Sequence, residues 1–273
     1  RIIDPTMLGQ IERYLKQAIV DKDPYVSSAA LVSGFHLMSS SGDVVRRWIG
    51  EVQEAMNSRS VMVQYHALGL LHRIRRKDKH AIVKLVASLT RGTSIRSQFA
   101  NCLLIRFVVQ VIESSTQGPH VAQLYEYLES CLRHKSEIVV YEAARAICNL
   151  KDIEVRNLSP AVTVLQLFLS SPKTTIRFAA VRTLNTVATT HPHLVARQCS
   201  FEMENLISDV NRSIATLAIT TLLKVEAESS IDRLLKQIAT FINEISDEFK
   251  IVVVDAIRTL ALKFKQRHYS IMA

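Results

Sequence analysis

Glycine and proline are scarce: seven and six in 273 residues, well below an ordinary usage of roughly 7% and 5%. A barrel or sandwich of many short strands needs a turn about every ten residues, so this shortage argues against one. Cysteine is sparse and scattered. Cys102, Cys131, Cys148 and Cys199 form no C-x-x-C pair and read as reduced core thiols of a cytosolic protein. Long apolar runs are missing as well. The nearest, CLLIRFVVQVI, is broken by Arg106 and Gln110, short of the roughly 18 residues of a membrane helix, so a soluble chain is expected. The glycines never cluster into a phosphate-binding loop, and neither a G-x-S-x-G elbow nor H-E-x-x-H is present. These absences predict no enzymatic activity, no cofactor and no metal.

What is abundant is amphipathic helix. Met7, Leu8, Ile11, Leu15, Ala18 and Ile19 return to one face every three or four residues. Asp4-Pro5, Asp23-Pro24 and Ser159-Pro160 read as helix starts, each an acceptor side chain followed by a residue with no amide hydrogen to leave unpaired. Ser229 with Asp232 three residues on predicts another, whose buried stripe is Leu234, Leu235, Ile238, Phe241, Ile242 and Ile245. Superposed, the helices repeat: a β-branched residue, an Ala four positions later, then an aliphatic residue. The Ala positions are 30, 67, 143, 180, 218 and 256, with Ala100 fitting between 67 and 143. That period matches stacked helical hairpins, with the small Ala admitting a close neighbour. The expected fold is all-α, a HEAT/armadillo-like α-α superhelical solenoid, in one domain over 1–273 of about seven hairpin repeats. The ends, RIIDP and HYSIMA, suggest a fragment of a longer parent. The loop-like stretch Glu113 to His120 is expected between repeats.

The net charge is +9. Arg73, Arg75, Arg76, Lys77, Lys79 and His80 crowd a helix end and the following turn. They could meet an anionic surface, or simply complement a helix dipole. A base-by-base RNA code would repeat its reading residues in each copy. The position after the β-branched residue is instead Ser27, Gln64, Val140, Arg177, Ala215 and Val253, so no specific nucleic acid is expected, while non-specific backbone binding stays open. The next position, Ser28, Tyr65, Tyr141, Phe178, Thr216 and Val254, reads as packing against the adjacent repeat. His191-Pro192-His193 reads as an interhelix turn. His66 and His72, six residues apart on one helix, are expected on different faces. Tyr25, Val32 and Met62 are apolar where a solvated face would be polar, which suits either ordinary scattered surface hydrophobes or a docking patch for a protein partner.

Several strings carry a family resemblance. VQYHALGLL (63–71), VVYEAARAICNL (139–150), SSPKTTIRFAAVRTLN (170–185), NRSIATLAITTLLK (211–224), ESSIDRLLKQI (228–238) and ISDEFKIVVVDAIRTL (245–260) resemble the coatomer gamma-subunit family among the adaptin and coatomer large-subunit trunks. The resemblance implies a non-enzymatic trunk segment of a COPI vesicle coat. Such a segment would be cytoplasmic and peripheral on Golgi membranes and COPI vesicles, and would support Golgi-to-ER and intra-Golgi transport. It also implies the partners: the zeta subunit, other coatomer subunits, and an Arf-family GTPase in its GTP form. Tyr25, Val32 and Met62 are the expected partner-binding residues, and Arg75, Arg76 and Lys77 the expected contacts to an anionic surface. The same repeats would also serve a scaffold, a nuclear transport carrier, or a basic nucleic-acid-binding solenoid.

Overall fold

The structure, a computed structural model, describes residues 7–264 except 77, 93–94, 115–118, 152, 226–230 and 243–244. Among the described residues the regular structure is helical, and the chain divides into two compact units, 1–146 and 147–273.

The first unit contains α1 (Leu8–Ile19), α2 (Pro24–Leu37), α3 (Gly42–Arg46), α4 (Ile49–Ala55), α5 (Val61–Arg75), α6 (Lys79–Arg91), α7 (Gln98–Ser114) and α8 (Pro119–Cys131); α9 (Glu137–Asn149) runs across the boundary. Two layers result. Helices α2, α5 and α7 pack in succession, and α1 against α4 and α6 against α8 back them. The second unit holds α10 (Val155–Leu169), α11 (Thr174–Thr190), α12 (Pro192–Leu206), α13 (Arg212–Val225), α14 (Ile231–Ile242) and α15 (Asp247–Lys263). Its layers are α11, α13 and α15 against α10 and α12. This is the expected HEAT/armadillo-like helical repeat, with the Ala positions at its centre.

Ala67, Ala100, Ala143, Ala180 and Ala218 are fully buried and Ala30 nearly so, which suits a small side chain at the close approach of packed helices. Ala256, on α15, is only half-buried. The β-branched partners are less uniform. Val63, Val139 and Ile214 are core residues, whereas Val26 and Val252 are exposed. The position after them is the steadier one: Ser27, Gln64, Val140, Ala215 and Val253 are buried, and only Arg177 of the six is half-buried.

The helix starts divide the same way. Asp23 caps α2, its carboxylate accepting from the Tyr25 amide at 2.8 Å, with Pro24 as the first helical residue. Asp4-Pro5 and Ser229 lie outside the described residues, but the stripe expected after Ser229 is present: Leu234, Ile238, Phe241 and Ile245 are buried. Ser159-Pro160 is corrected. Helix α10 starts at Val155, and Pro160 sits inside it. Leu158, 1% exposed, draws the preceding turn into the core, and exposed Arg156, whose carbonyl loses the Pro160 donor, can be hydrated instead.

Within each unit, polar side chains tie neighbouring repeats together. Ser28 Oγ lies 2.7 Å from His66 Nδ1, Gln98 accepts from Ser136 at 2.8 Å, and Gln166 donates to Glu202 at 2.8 Å. Glu142 accepts from Arg106 at 2.6 Å. Gln64 does most: its amide oxygen accepts from the backbone of Arg96 and Ser97 at 3.0 and 3.3 Å, and its nitrogen donates to the Met56 carbonyl. These bonds span 32 to 38 residues when they cross repeats, the spacing of the Ala positions. A buried amide satisfied on both ends holds the register of stacked hairpins, which apolar contact alone leaves free to slide.

Candidate partner-binding surface

The expected partner-binding residues fall on two neighbouring helices. Tyr25, 75% exposed, and Val32, half-buried, lie two turns apart on α2 and so share a stripe. Met62, half-buried, begins α5, which packs against α2. Tyr25 and Met62 hold the same place in successive repeats, one residue before the β-branched position.

The basic cluster sits as its sequence predicts. Helix α5 ends in His72, Arg73 and Arg75, Arg76 follows as its C-cap, and Asp78 caps α6 by accepting from the Ala81 amide at 3.1 Å. Cations there complement the carbonyl end of α5. Arg75 is half-buried and Arg76 exposed; Lys77 lies outside the described residues.

Arg76 also reaches a feature that reading the sequence missed. A cavity of about 360 Å³ opens between α2, α5 and α7, lined by Phe35, Tyr65, His66, Gly69, His72, Arg73, Arg76, Leu103, Phe107 and Gln110. His66 and His72 therefore share one site, against expectation. The stripe Tyr65, Gly69, His72 and Arg76 advances by four, three and four residues, and His66 and Arg73 flank it within the roughly 100° or more that a helix face can cover. That spacing was visible in the sequence.

The walls are held by ring contacts. His72 stacks on Phe107 with centroids 3.6 Å apart and planes 4° from parallel. Arg73 lies over the Phe35 ring at 5.5 Å, and Tyr65 meets Phe99 edge to face at 6.5 Å. Gly69 makes room: a Cβ there would stand 3.1 Å from the Phe35 ring. Burial lowers the pKa of His66. It also lowers that of His72, opposed by the Gln110 side chain and reinforced by the Arg76 charge. Both imidazoles are mostly neutral at pH 7, and the fully buried His72 Nε2 has no hydrogen-bond partner among the described residues.

Other expectations resolve simply. Pro192 starts α12 directly after α11, so THPHL is the interhelix turn. Tyr65 and Val254 are exposed rather than wedged, while Ser28 and Thr216 are buried. The cysteines are unpaired, Cys148 being half-buried and the rest buried. Burial raises their pKa values, to about 11 for Cys102, where Glu142 adds to the effect, and to about 12 for Cys148 and Cys199. They are protonated thiols and poor nucleophiles. Among the described residues no group of His, Cys, Asp and Glu could hold a metal ion, and no helix is long and apolar enough to cross a membrane.

The model of the adaptin N-terminal region matches residues 1–273. The chain belongs to this adaptin family. Within it the likeness is to coatomer gamma subunits. The chain is 62% identical over 274 residues to the coatomer subunit gamma of Arabidopsis thaliana and 58% identical over 274 residues to that of Drosophila melanogaster. It is 56% identical over 272 residues to coatomer subunit gamma-2 of Danio rerio. Each match takes in 99 to 100% of this adaptin-family chain and 31% of the relative, so the chain spans about a third of the length of these curated relatives. Among solved structures, a chain in a homology model of the full-length AP-3 complex in an intermediate open conformation matches with a TM-score of 0.73 at 15% identity. It covers 95% of this chain and 49% of that one. That likeness is one of fold.

Proposed function

We propose that this chain is a trunk segment, about seven hairpin repeats long, of a COPI coat subunit, and that it works by regulated binding without catalysis. The observation that carries this reading is the identity of 62% to a coatomer subunit gamma along the full length of the chain. In this reading it pairs with the zeta subunit and joins other coatomer subunits. An Arf-family GTPase in its GTP form recruits it from the cytoplasm to Golgi membranes, where it supports Golgi-to-ER and intra-Golgi transport. GTP loading then decides how long the coat stays on the membrane.

Exposed Tyr25, with Val32 on the same stripe and Met62 one repeat on, is proposed as the GTPase contact, since a large exposed apolar side chain beside half-buried ones is how a docking patch begins. Arg75, Arg76 and Lys77 are proposed to meet the anionic surface. Calorimetry tests the reading: this chain with the zeta subunit is titrated with an Arf-family GTPase carrying a GTP analogue or GDP. Saturable binding to the GTP form alone, weakened by Tyr25→Ala, is expected. Equal affinity for both forms, or no binding by a folded sample, defeats it.

A further inference from the structure

We propose that the cavity between α2, α5 and α7 is a recognition groove for an acidic peptide segment that carries one large apolar side chain. The groove lies wholly within the first unit, and the inference stands apart from the coat reading.

Charge is the first argument. Residues 59 to 96 hold nine Lys and Arg against a single acid, Asp78, which is occupied as the cap of α6. The groove opens within this stretch, and no carboxylate lines it. Arg73 and Arg76 have no ion-pair partner among the described residues, in contrast to Arg47 and Arg106, which pair with Glu12 and Glu142. Two guanidiniums at one end of a concave site present forked donors to carboxylates, a geometry that suits an acidic side chain better than a diffuse charge does.

Shape is the second. Gly69, Leu103 and Phe107 form an apolar floor, and a volume of about 360 Å³ lies at the lower end of ordinary ligand pockets, enough for one large side chain. Neutral His66 and His72 add polar edges without charge. A nucleobase fits less well. One face of Phe107 is taken by His72 and one face of Phe35 by Arg73, so the stacking planes on which single strands are bound are already partly used. A flat lipid surface has no means of reaching a recessed floor.

Fluorescence anisotropy with the full 273-residue chain tests this. The probe is a fluorescein-labelled peptide, Asp-Glu-Asp-Leu-Phe-Glu-Asp-Glu. Two control peptides replace its acids by Lys or its Leu-Phe by Ser-Ser, and phosphatidylserine vesicles and random single-stranded RNA are separate arms. Saturable binding is expected for the probe, at least tenfold weaker for either control. Arg73→Glu and Gly69→Leu should each weaken it at least tenfold, while Arg133→Glu, exposed and off the groove, leaves it within twofold. Should Gly69→Leu melt early by circular dichroism, Leu103→Asp provides the same block. The proposal is overturned by absence of saturable binding or by equal binding of the Ser-Ser peptide. Loss in Arg133→Glu as large as in Arg73→Glu also overturns it, as does RNA or vesicle binding that Gly69→Leu abolishes. No GTPase or zeta subunit enters the assay, so its failure leaves the coat reading untouched.

Discussion

The same place in the repeat is built twice, with opposite outcomes. In the first unit the cavity lies between α2, α5 and α7; in the second, one of about 540 Å³ lies between α11, α13 and α15. Five residues after the central Ala stands Phe35 in one and Asn185 in the other, and six residues after the next Ala stands Arg73 or Lys224. Each cation reaches back to the earlier residue. Arg73 lies over the Phe35 ring, while the Lys224 amine donates to the Asn185 side chain at 2.8 Å, to its carbonyl at 3.1 Å and to Thr189 at 3.4 Å. Asn185 in turn donates to Thr220 and Thr221 at 3.0 and 2.9 Å. Where the residue beneath is an amide, the cation's hydrogens are consumed by the fold. Where it is a ring, the guanidinium gives up no donor to a carboxylate among the described residues, and its donors stay available to a ligand.

The largest effect should come from the shared scaffold beneath both cavities. Ala180→Leu and Ala218→Leu are each expected to cost about 1 to 3 kcal/mol by overpacking a fully buried site, while Ala256→Leu, half-buried, should stay within about 0.5 kcal/mol. Urea denaturation of the three variants decides this; equal losses would mean that burial of the central Ala does not set the packing. Next comes the amide ladder. Asn185→Ala strips the Lys224 amine of its nearest acceptor and leaves buried Thr221 without its donor, a loss of about 1 to 2 kcal/mol. An unchanged midpoint would show that the ladder is ornamental, and the contrast between the two cavities would lose its basis.

How much of this could be read in advance depends on the range of the interaction. The Ala spacing and the Asp23 cap were legible because each is set within one helix and its immediate crossing. Pro160 was misread because the pull of Leu158 into the core acts across helices and outweighs the local preference of proline for a first turn. Gln64 was invisible as a tie because its partners Arg96 and Ser97 lie a full repeat away. His66 and His72 were misplaced for a geometric reason: a groove bounded by three helices collects side chains from a wider arc of each than a two-helix contact does. Tyr25, by contrast, was recognised as outward-facing from pattern alone, since apolar character at a polar register needs no partner to be noticed.

Acid should sharpen the contrast from the first unit's side. Because the folded pKa values of His66 and His72 lie below the ordinary 6.5, the unfolded chain takes up protons at these residues before the folded one does. Stability is therefore complete above pH 6.5 and declines as pH falls below it. His72→Phe keeps the stack on Phe107 and removes the unpartnered Nε2. It should raise stability by up to about 1 kcal/mol at pH 7.5, with the advantage widening toward pH 5. A parallel pH dependence in wild type and variant would refute the assignment of this titration to His72.

The smallest expected effect separates the two cations most directly. Arg73→Ala should cost only about 0.5 to 1 kcal/mol, the worth of an exposed cation over a ring. Because that attraction is to a quadrupole at close range, adding salt should change the cost little. Arg73→Lys should recover part of it, since an ammonium is also drawn to the ring face but lacks the planar fork that leaves donors pointing away. The prediction is thus a split: the lysine variant approaches wild type in stability yet loses affinity for the acidic probe peptide. Recovery of both, or of neither, would show that the guanidinium over Phe35 does not divide its face and its donors between the fold and a ligand.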